Sequence, residues 1–270
     1  MMNVLITGAA SGIGRAVADH FIKQGHMVYG IDVAHAEERE NFCGFAADIT
    51  SEDALQNVQA HLRANGIILD TILNIAGIHM MASLVESDYT KMKKVVDINF
   101  SGTMLVNRMF HECLAADGRI IIVTSEVAGF DPMPFNGLYS ATKTALDSYA
   151  QALRQELNIL GQKVVTIRPG AVETPLSIHS MQATQNLADT TVQYKQQARN
   201  FAGLAAKFMG TPIKPETLAA LIYKAAITKH PKLIYQKHRN IGLVLLNVLP
   251  KRLQCFLIRF LLNHLSCKNV

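Results

Sequence analysis

The strongest constraint on this chain is an alternation. Short runs of apolar and β-branched residues are each followed by a longer amphipathic stretch. The runs at 4–7, 27–32, 44–47, 69–75, 119–125 and 163–168 are apolar almost throughout rather than at every second position. A strand that is apolar on both faces is buried on both faces, which is the signature of a parallel sheet covered by helices. Between the runs, helices are expected over 14–24, from Ser51 to about residue 64, over roughly 87–115 and over 139–160. Gly25 and Gly161 stop two of them, and Pro169 ends the last strand. Ser51, followed by Glu52 and Asp53, brings N-terminal capping chemistry to the second helix. The pattern predicts an α/β fold, a doubly wound parallel sheet of Rossmann type.

The 270 residues suffice for one large α/β domain, and 49% apolar with 17% charged residues exclude a disordered chain. Cys43, Cys113, Cys255 and Cys267 show no metal-ligand spacing, so reduced thiols and no metal site are expected. The chain opens on polar Asn3 and a strand rather than a leader, and its longest apolar run, 241–249, is too short to span a bilayer. A cytoplasmic protein is expected, one that at most touches a membrane. The net charge of +5 is unevenly placed: nine Lys and Arg and no acid follow Glu216, while residues 1–216 hold seventeen cations against twenty-one acids. A mildly acidic body with a basic end does not suit a nucleic-acid binder and points to a local anionic partner. Residues 175–215, polar and Gln-rich, are expected to be irregular, either a lid over a substrate or a loop alone.

Between the first strand and helix stands Thr7-Gly8-Ala9-Ala10-Ser11-Gly12-Ile13-Gly14. Glycines permit the sharp turn that aims a helix N-terminus, with its free N–H groups and positive dipole end, at a pyrophosphate. The second strand ends on Asp32, twenty residues after Gly12. A carboxylate there bonds a ribose diol and repels a 2′-phosphate, so NAD is the expected cofactor. With glycine spacing GxxxGxG, the chain resembles the short-chain dehydrogenase/reductase family over nearly all of residues 1–230. The resemblance implies that Gly8, Ser11, Gly12, Ile13 and Gly14 hold the dinucleotide. It further implies that Asp48-Ile49 flanks the adenine and that Asn74-Ile75-Ala76-Gly77 corresponds to an NNAG segment, with Ile75 as a departure. Pro169-Gly170-Ala171-Val172-Glu173-Thr174 matches a segment that closes on the nicotinamide, assigning Pro169, Gly170, Val172 and Thr174 to the site.

Tyr139 and Lys143 are spaced i, i+4 at a helix start and share one face. A phenol titrates near ~10 and is a poor base at neutrality; a nearby ammonium and an oxidised nicotinamide favour its anion. Ser125, at the end of the fifth strand, can hold a substrate oxygen; it lies fourteen residues before Tyr139, where thirteen is usual in relatives. Asn99, within Asp97-Ile98-Asn99-Phe100, resembles the family asparagine that links the lysine to solvent through water. The family resemblance makes Tyr139 the proton-transfer group, Lys143 its activator, and both cofactor contacts. His79, Met80 and Met81 are expected as packing beside the substrate space.

A domain over 1–240 and a basic amphipathic helical extension over 241–270 are expected. On that extension Leu253, Leu257, Phe260, Leu261 and Leu265 form an apolar stripe with Lys251, Arg252, Arg259, Asn263 and Lys268 largely elsewhere, a pattern suited to packing on the body or to peripheral membrane contact. The expected activity is NAD-dependent interconversion of a secondary alcohol and a ketone on a bulky apolar, steroid-, retinoid- or lipid-like substrate. The alternatives are a 3-oxoacyl reductase and a non-catalytic NAD sensor. A homodimer or homotetramer is expected by analogy.

Overall fold

The computed structural model describes residues 1–34, 39–208, 210–238 and 240–264. Seven strands form one parallel sheet in the order 3-2-1-4-5-6-7. They are β1 (Asn3–Thr7), β2 (Met27–Asp32), β3 (Phe42–Ala46), β4 (Leu69–Asn74), β5 (Leu114–Val123), β6 (Lys163–Pro169) and β7 (Ile234–Lys237). The helices are α1 (Gly12–Lys23), α2 (Glu52–Ala64), α3 (Tyr89–Val96), α4 (Thr103–Phe110), α5 (Gly137–Ile159), α6 (Pro175–Gln185), α7 (Leu187–Thr190), α8 (Lys195–Phe208), α9 (Pro215–Ile227), α10 (Ile241–Val248) and α11 (Lys251–His264). The strand order reverses between β1 and β4, where Thr7 lies opposite both Ile31 and Asn74. Connections leave these two strands on opposite faces, which opens a crevice at their carboxyl ends.

The pleat divides each apolar run between two cores. Leu5, Ile72, Ile120 and Ile122 pack against Leu55 and Leu62 of α2, Phe110 of α4 and Leu146 of α5. Val4, Ile6, Ile121, Val123 and Val165 pack on the other face against Val17 and Phe21 of α1 and Leu218 and Ile222 of α9.

Three expectations are corrected. The single helix expected over 87–115 is broken into α3, a π-helical segment (Asp97–Gly102) and α4, and β5 begins at Leu114 rather than 119. Leu114 is buried and pairs with Leu69, but the register shifts between Leu69 and Thr71, and the intervening Ala, Asp and Gly residues carry little strand signal. The described part of residues 175–215 is built mainly of α6, α7 and α8 rather than an irregular loop. Thr174 and Ser177 form a capping box that starts α6 at Pro175. Third, the C-terminal extension buries a different face from the expected stripe. Gln254 and Leu262 of α11 are buried, Leu257 and Leu261 half-buried, and Leu253 and Phe260 exposed, while Leu265, Lys268 and Cys267 lie outside the described residues.

Helix α11 is docked on α8. Asn200 Nδ2 donates to the Leu262 carbonyl at 2.8 Å, and Gln197 Nε2 to Asn263 Oδ1 at 2.8 Å. Leu262 completes a third apolar cluster with Phe135, Leu187, Ala198 and Phe201. Among the described residues no helix is long and apolar enough to cross a membrane, and Cys43, Cys113 and Cys255 form no disulfide.

Phe21 is fully buried between the sheet and α9. Phe21→Ala is expected to cost about 3–5 kcal/mol of stability, read as a lower denaturant midpoint with an unchanged slope.

Candidate active site

The crevice at the β1/β4 switch point is a cleft of about 230 Å³. Its walls include Gly8, Ser11, Gly12, Ile13, Gly14, Asp32, Asp48, Ile49, Ala76, Gly77 and Thr174, all expected from the sequence. The turn between β1 and α1 depends on bare backbone. Gly8 and Gly12 have φ of +73° and +52°, a region that side chains with a Cβ rarely adopt. A Cβ on Gly14 would stand 1.9 Å from the Gly8 carbonyl oxygen, and one on Gly8 would stand 2.9 Å from Ala76 Cα. Ser11 caps α1 with its backbone alone, since its side chain makes no capping bond. The first N–H groups of α1 therefore have no side-chain partner, and this bare-backbone turn fits a pyrophosphate.

Thr7 holds the opposite wall, a role that sequence reasoning missed. Its Oγ1 accepts from the N–H groups of Ile75 and Ala76 at 3.1 and 3.2 Å. Asp32 accepts from Ala10 N–H and Ala34 N–H, both at 3.0 Å, so its carboxylate braces the glycine loop as well as facing the cleft. Asp48 accepts from the Thr50 N–H and hydroxyl at 2.8 Å.

Four other expected residues are not among these walls. Asn74 is buried beneath the cleft and donates to Asn107 Oδ1 at 2.7 Å, bracing β4 on α4. Pro169, Gly170 and Val172 are not among the cleft's walls. Gly170 is held by the chain after β7: its N–H donates to the Lys237 carbonyl at 2.8 Å, and a Cβ there would strike the His238 carbonyl at 1.7 Å. Val172 bridges to Ile213.

Tyr139, Lys143, Ser125 and Asn99 gather at the carboxyl ends of β4 and β5. The π-helical segment carries Asn99 and turns it inward, fully buried; such segments concentrate at functional sites. Asn99 bonds both ways to Ile78, accepting from its N–H at 2.7 Å and donating to its carbonyl at 2.8 Å, and it also donates to Thr142 Oγ1 at 3.2 Å. Ser125 stands two residues beyond the end of β5, not within it, and caps a short 3₁₀ turn (Glu126–Gly129) by accepting from Val127 N–H at 3.3 Å. A hydrogen bond with Ser125 favours the Tyr139 phenolate. Thr124 faces away, toward the Ile167 carbonyl and Asp147.

Burial dominates the electrostatics. It pushes the Tyr139 phenol up to about 12 against the pull of Ser125, and the Lys143 ammonium down to about 8. In the protein alone the phenol is therefore not acidified: desolvation outweighs the Ser125 hydrogen bond. Lys143 Nζ lies 5.7 Å from the Tyr139 ring centroid and donates to the Val123 carbonyl at 3.3 Å.

His79, expected as packing, lies with its ring centroid 4.5 Å from that of Tyr139, tilted by 53°, and with its Nε2 3.0 Å from Asn136 Oδ1. Burial lowers its pKa to about 4, so it is neutral at physiological pH. Glu86 holds the helical cover through its carboxylate, which accepts from the Thr191 hydroxyl and from the N–H groups of Val192 and Gln193 at 3.0 and 2.9 Å. These bonds keep the Glu86 carboxyl below the usual range.

A family model described as short chain dehydrogenase matches residues 2–185. The chain belongs to the short-chain dehydrogenase family. This oxidoreductase is 35% identical over 182 residues to the NADPH-dependent 1-acyldihydroxyacetone phosphate reductase of Schizosaccharomyces pombe, a match covering 64% of this chain and 60% of that enzyme. It is 32% identical over 241 residues to the uncharacterized oxidoreductase YbbO of Escherichia coli K12, covering 86% of this chain and 84% of the relative. Among solved structures, a short-chain dehydrogenase from Streptomyces avermitilis superposes with a TM-score of 0.74 at 20% identity, covering 96% of each chain. A Brucella melitensis 3-ketoacyl-(acyl-carrier-protein) reductase complexed with NADH superposes with a TM-score of 0.69 at 26% identity, covering 88% of this chain and 98% of that one. Family members bind a nicotinamide cofactor and act on small molecules.

Because the Gly14 Cα sits against the Gly8 carbonyl, Gly14→Val is expected to weaken NADH binding by about 100-fold or more. Fluorescence titration, with circular dichroism as the check on folding, measures it.

Proposed function

We propose that this dehydrogenase interconverts a secondary alcohol and a ketone, with NAD in preference to NADP, on a bulky apolar substrate. The observation that carries the reading is the convergence of buried Ser125 and Lys143 with half-buried Tyr139 beside the dinucleotide cleft.

A bound nicotinamide would supply the hydride donor or acceptor. Gly8, Ser11, Gly12, Ile13 and Gly14 would hold its pyrophosphate, Asp32 its adenosine ribose, and Asp48 and Ile49 the adenine. Tyr139 and Ser125 grip the substrate oxygen. In the reductive direction the phenol, protonated at neutral pH, donates its proton to the carbonyl oxygen. In the oxidative direction the phenolate accepts the alcohol's proton and becomes the phenol, and the Lys143 ammonium on the same helical face stabilises the phenolate that must first form. Asn99 positions the Ile78 backbone and the Thr142 hydroxyl beside Lys143. We assign it to the outward proton path with Lys143.

Cofactor preference rests on charge. Asp32 and uncharged Val33 stand at the ribose end, and no Lys or Arg is among the cleft's described walls to receive a 2′-phosphate. The apolar substrate rests on the surroundings of Tyr139. Leu84 lies against Gly137, two residues before Tyr139, and is 54% exposed. Met81, Met133 and Phe135 form the body-side wall of the cluster under α7 and α8. The likeness to the Brucella 3-ketoacyl reductase favours a second reading, reduction of a 3-oxoacyl thioester. Cytoplasmic residence and homo-oligomeric assembly through the helices bearing Asn99 and Tyr139 belong to the same proposal.

Screening steroid, retinol and hydroxyacyl compounds by NADH absorbance tests the substrate class. Turnover on a sterol or retinoid alcohol is expected, and turnover confined to hydroxyacyl thioesters would favour the second reading. Tyr139→Phe is expected to retain NADH binding while losing at least about 100-fold in kcat; unchanged turnover would contradict the assignment. Asp32→Ala is expected to move the NAD-to-NADP ratio of kcat/KM toward NADP by about tenfold or more, and an unaltered ratio would place the selectivity elsewhere.

A further inference from the structure

The basic C-terminal extension takes no part in the chemistry proposed above. Its inner face has a defined task. The chain leaves β7 with Lys237 aligned beside Pro169, at the sheet edge that bears the active site. Glu126, next to Ser125, accepts from Asn240 N–H at 2.6 Å, where Asn240 caps α10. Asp131 binds both C-terminal helices: its N–H donates to Asn247 Oδ1 at 2.6 Å, and its carboxylate meets Gln254 Nε2 at 3.1 Å and Lys251 Nζ at 3.2 Å. With Leu262 docked on α8, the two helices lie over the substrate side of the molecule.

The outer face has no such partner. Along α10, Ile241, Leu245 and Val248 recur at helical spacing and are 74%, 65% and 78% exposed. Along α11, Leu253, Phe256 and Phe260 are exposed, and the Phe256 and Phe260 rings stack at 6.4 Å. Isolated exposed apolar residues are ordinary, but three on each of two consecutive short helices make an unusually apolar pair of outward faces. The charge around them has one sign. No Asp or Glu follows Glu216 in the sequence. Of the α11 lysines and arginines, only Lys251 ion-pairs among the described residues, with Asp131, which leaves Arg252 and Arg259 exposed beside Leu253, Phe256 and Phe260.

We infer that the outer face of α10 and α11 docks on an anionic phospholipid surface. Apolar side chains enter the interface, and the arginines meet the headgroups. The choice of occupant follows from charge. Two copies of this chain joined through the same patch would set Arg252 and Arg259 against their own equivalents, whereas an anionic bilayer presents the complementary sign. Docking there lays the substrate side of the molecule against the membrane, so an apolar substrate enters from lipid. That last consequence rests on the proposed substrate class; the docking itself does not.

The full chain is tested by flotation with vesicles of phosphatidylcholine mixed with phosphatidylserine, and with vesicles of phosphatidylcholine alone. Binding to the mixed vesicles is expected, about tenfold weaker on phosphatidylcholine alone and weakened by high salt. Phe256→Ser with Val248→Ser, and separately Arg252→Glu with Arg259→Glu, are expected to lower binding by about tenfold while leaving thermal stability and NADH binding unchanged. NADH binding is read alongside because it reports on the catalytic body independently of docking. Failure of the wild type to float with anionic vesicles would overturn the proposal, as would variants that float equally well. Apolar variants that instead convert a larger species to a smaller one in size-exclusion chromatography, with no vesicle binding by the wild type, would assign the face to contact between copies.

Discussion

The site rests on a contact between backbones. Gly14 at the start of α1 touches the carbonyl of Gly8, and Gly8 in turn fits against Ala76 of the segment leaving β4. No side chain fits at either place. The Thr7 hydroxyl closes the arrangement by accepting from two successive N–H groups of that segment. These contacts bring the ends of β1 and β4 and the beginning of α1 to one point, where the strand order reverses and a cleft must open. The position of every other group in the site, from Asp32 to Thr174, follows from that junction.

The chemistry depends on burial acting on two groups in opposite senses. A phenol and an ammonium placed together out of water each resist their charged form, so Tyr139 is protonated and Lys143 holds its proton weakly. Ser125 offsets part of the phenol's penalty through its hydrogen bond. Around this pair the protein places neutral groups: His79 is uncharged and packs tilted against the phenol ring, and Asn99 is held at both amide atoms. Of the four groups gathered around the phenol, only Lys143 carries charge.

The central features were legible because each depends on local residue type. Glycines at a strand–helix turn, an acid at the end of β2, and a Tyr and Lys one helical turn apart are patterns that backbone geometry imposes on a short stretch of chain. What was not legible depends on tertiary context. The π-helical segment at Asn99 carries no local marker that distinguishes it from continuous helix. The start of β5 rests on one pairing, Leu114 with Leu69, flanked by residues with weak strand preference. Gly170 appears in a motif associated with the cofactor, yet here its lack of a side chain answers to His238, a neighbour 68 residues on in the chain that only the fold brings near. The inward face of α11 was misjudged because several of its positions are apolar, and the choice among them was made by Asn200 and Gln197 of α8, not by periodicity.

The claim that ties these observations together is that Tyr139 transfers the substrate's proton under the control of one neighbouring ammonium. The most direct measurement is the pH dependence of kcat/KM for alcohol oxidation in the wild type and in Lys143→Met. Loss of the cation removes stabilisation of the phenolate and leaves the phenol harder to ionise, so the rising limb is expected to move to higher pH in the variant, with activity at neutral pH reduced. Superimposable profiles would show that Lys143 does not govern the ionisation of Tyr139, and would contradict the account.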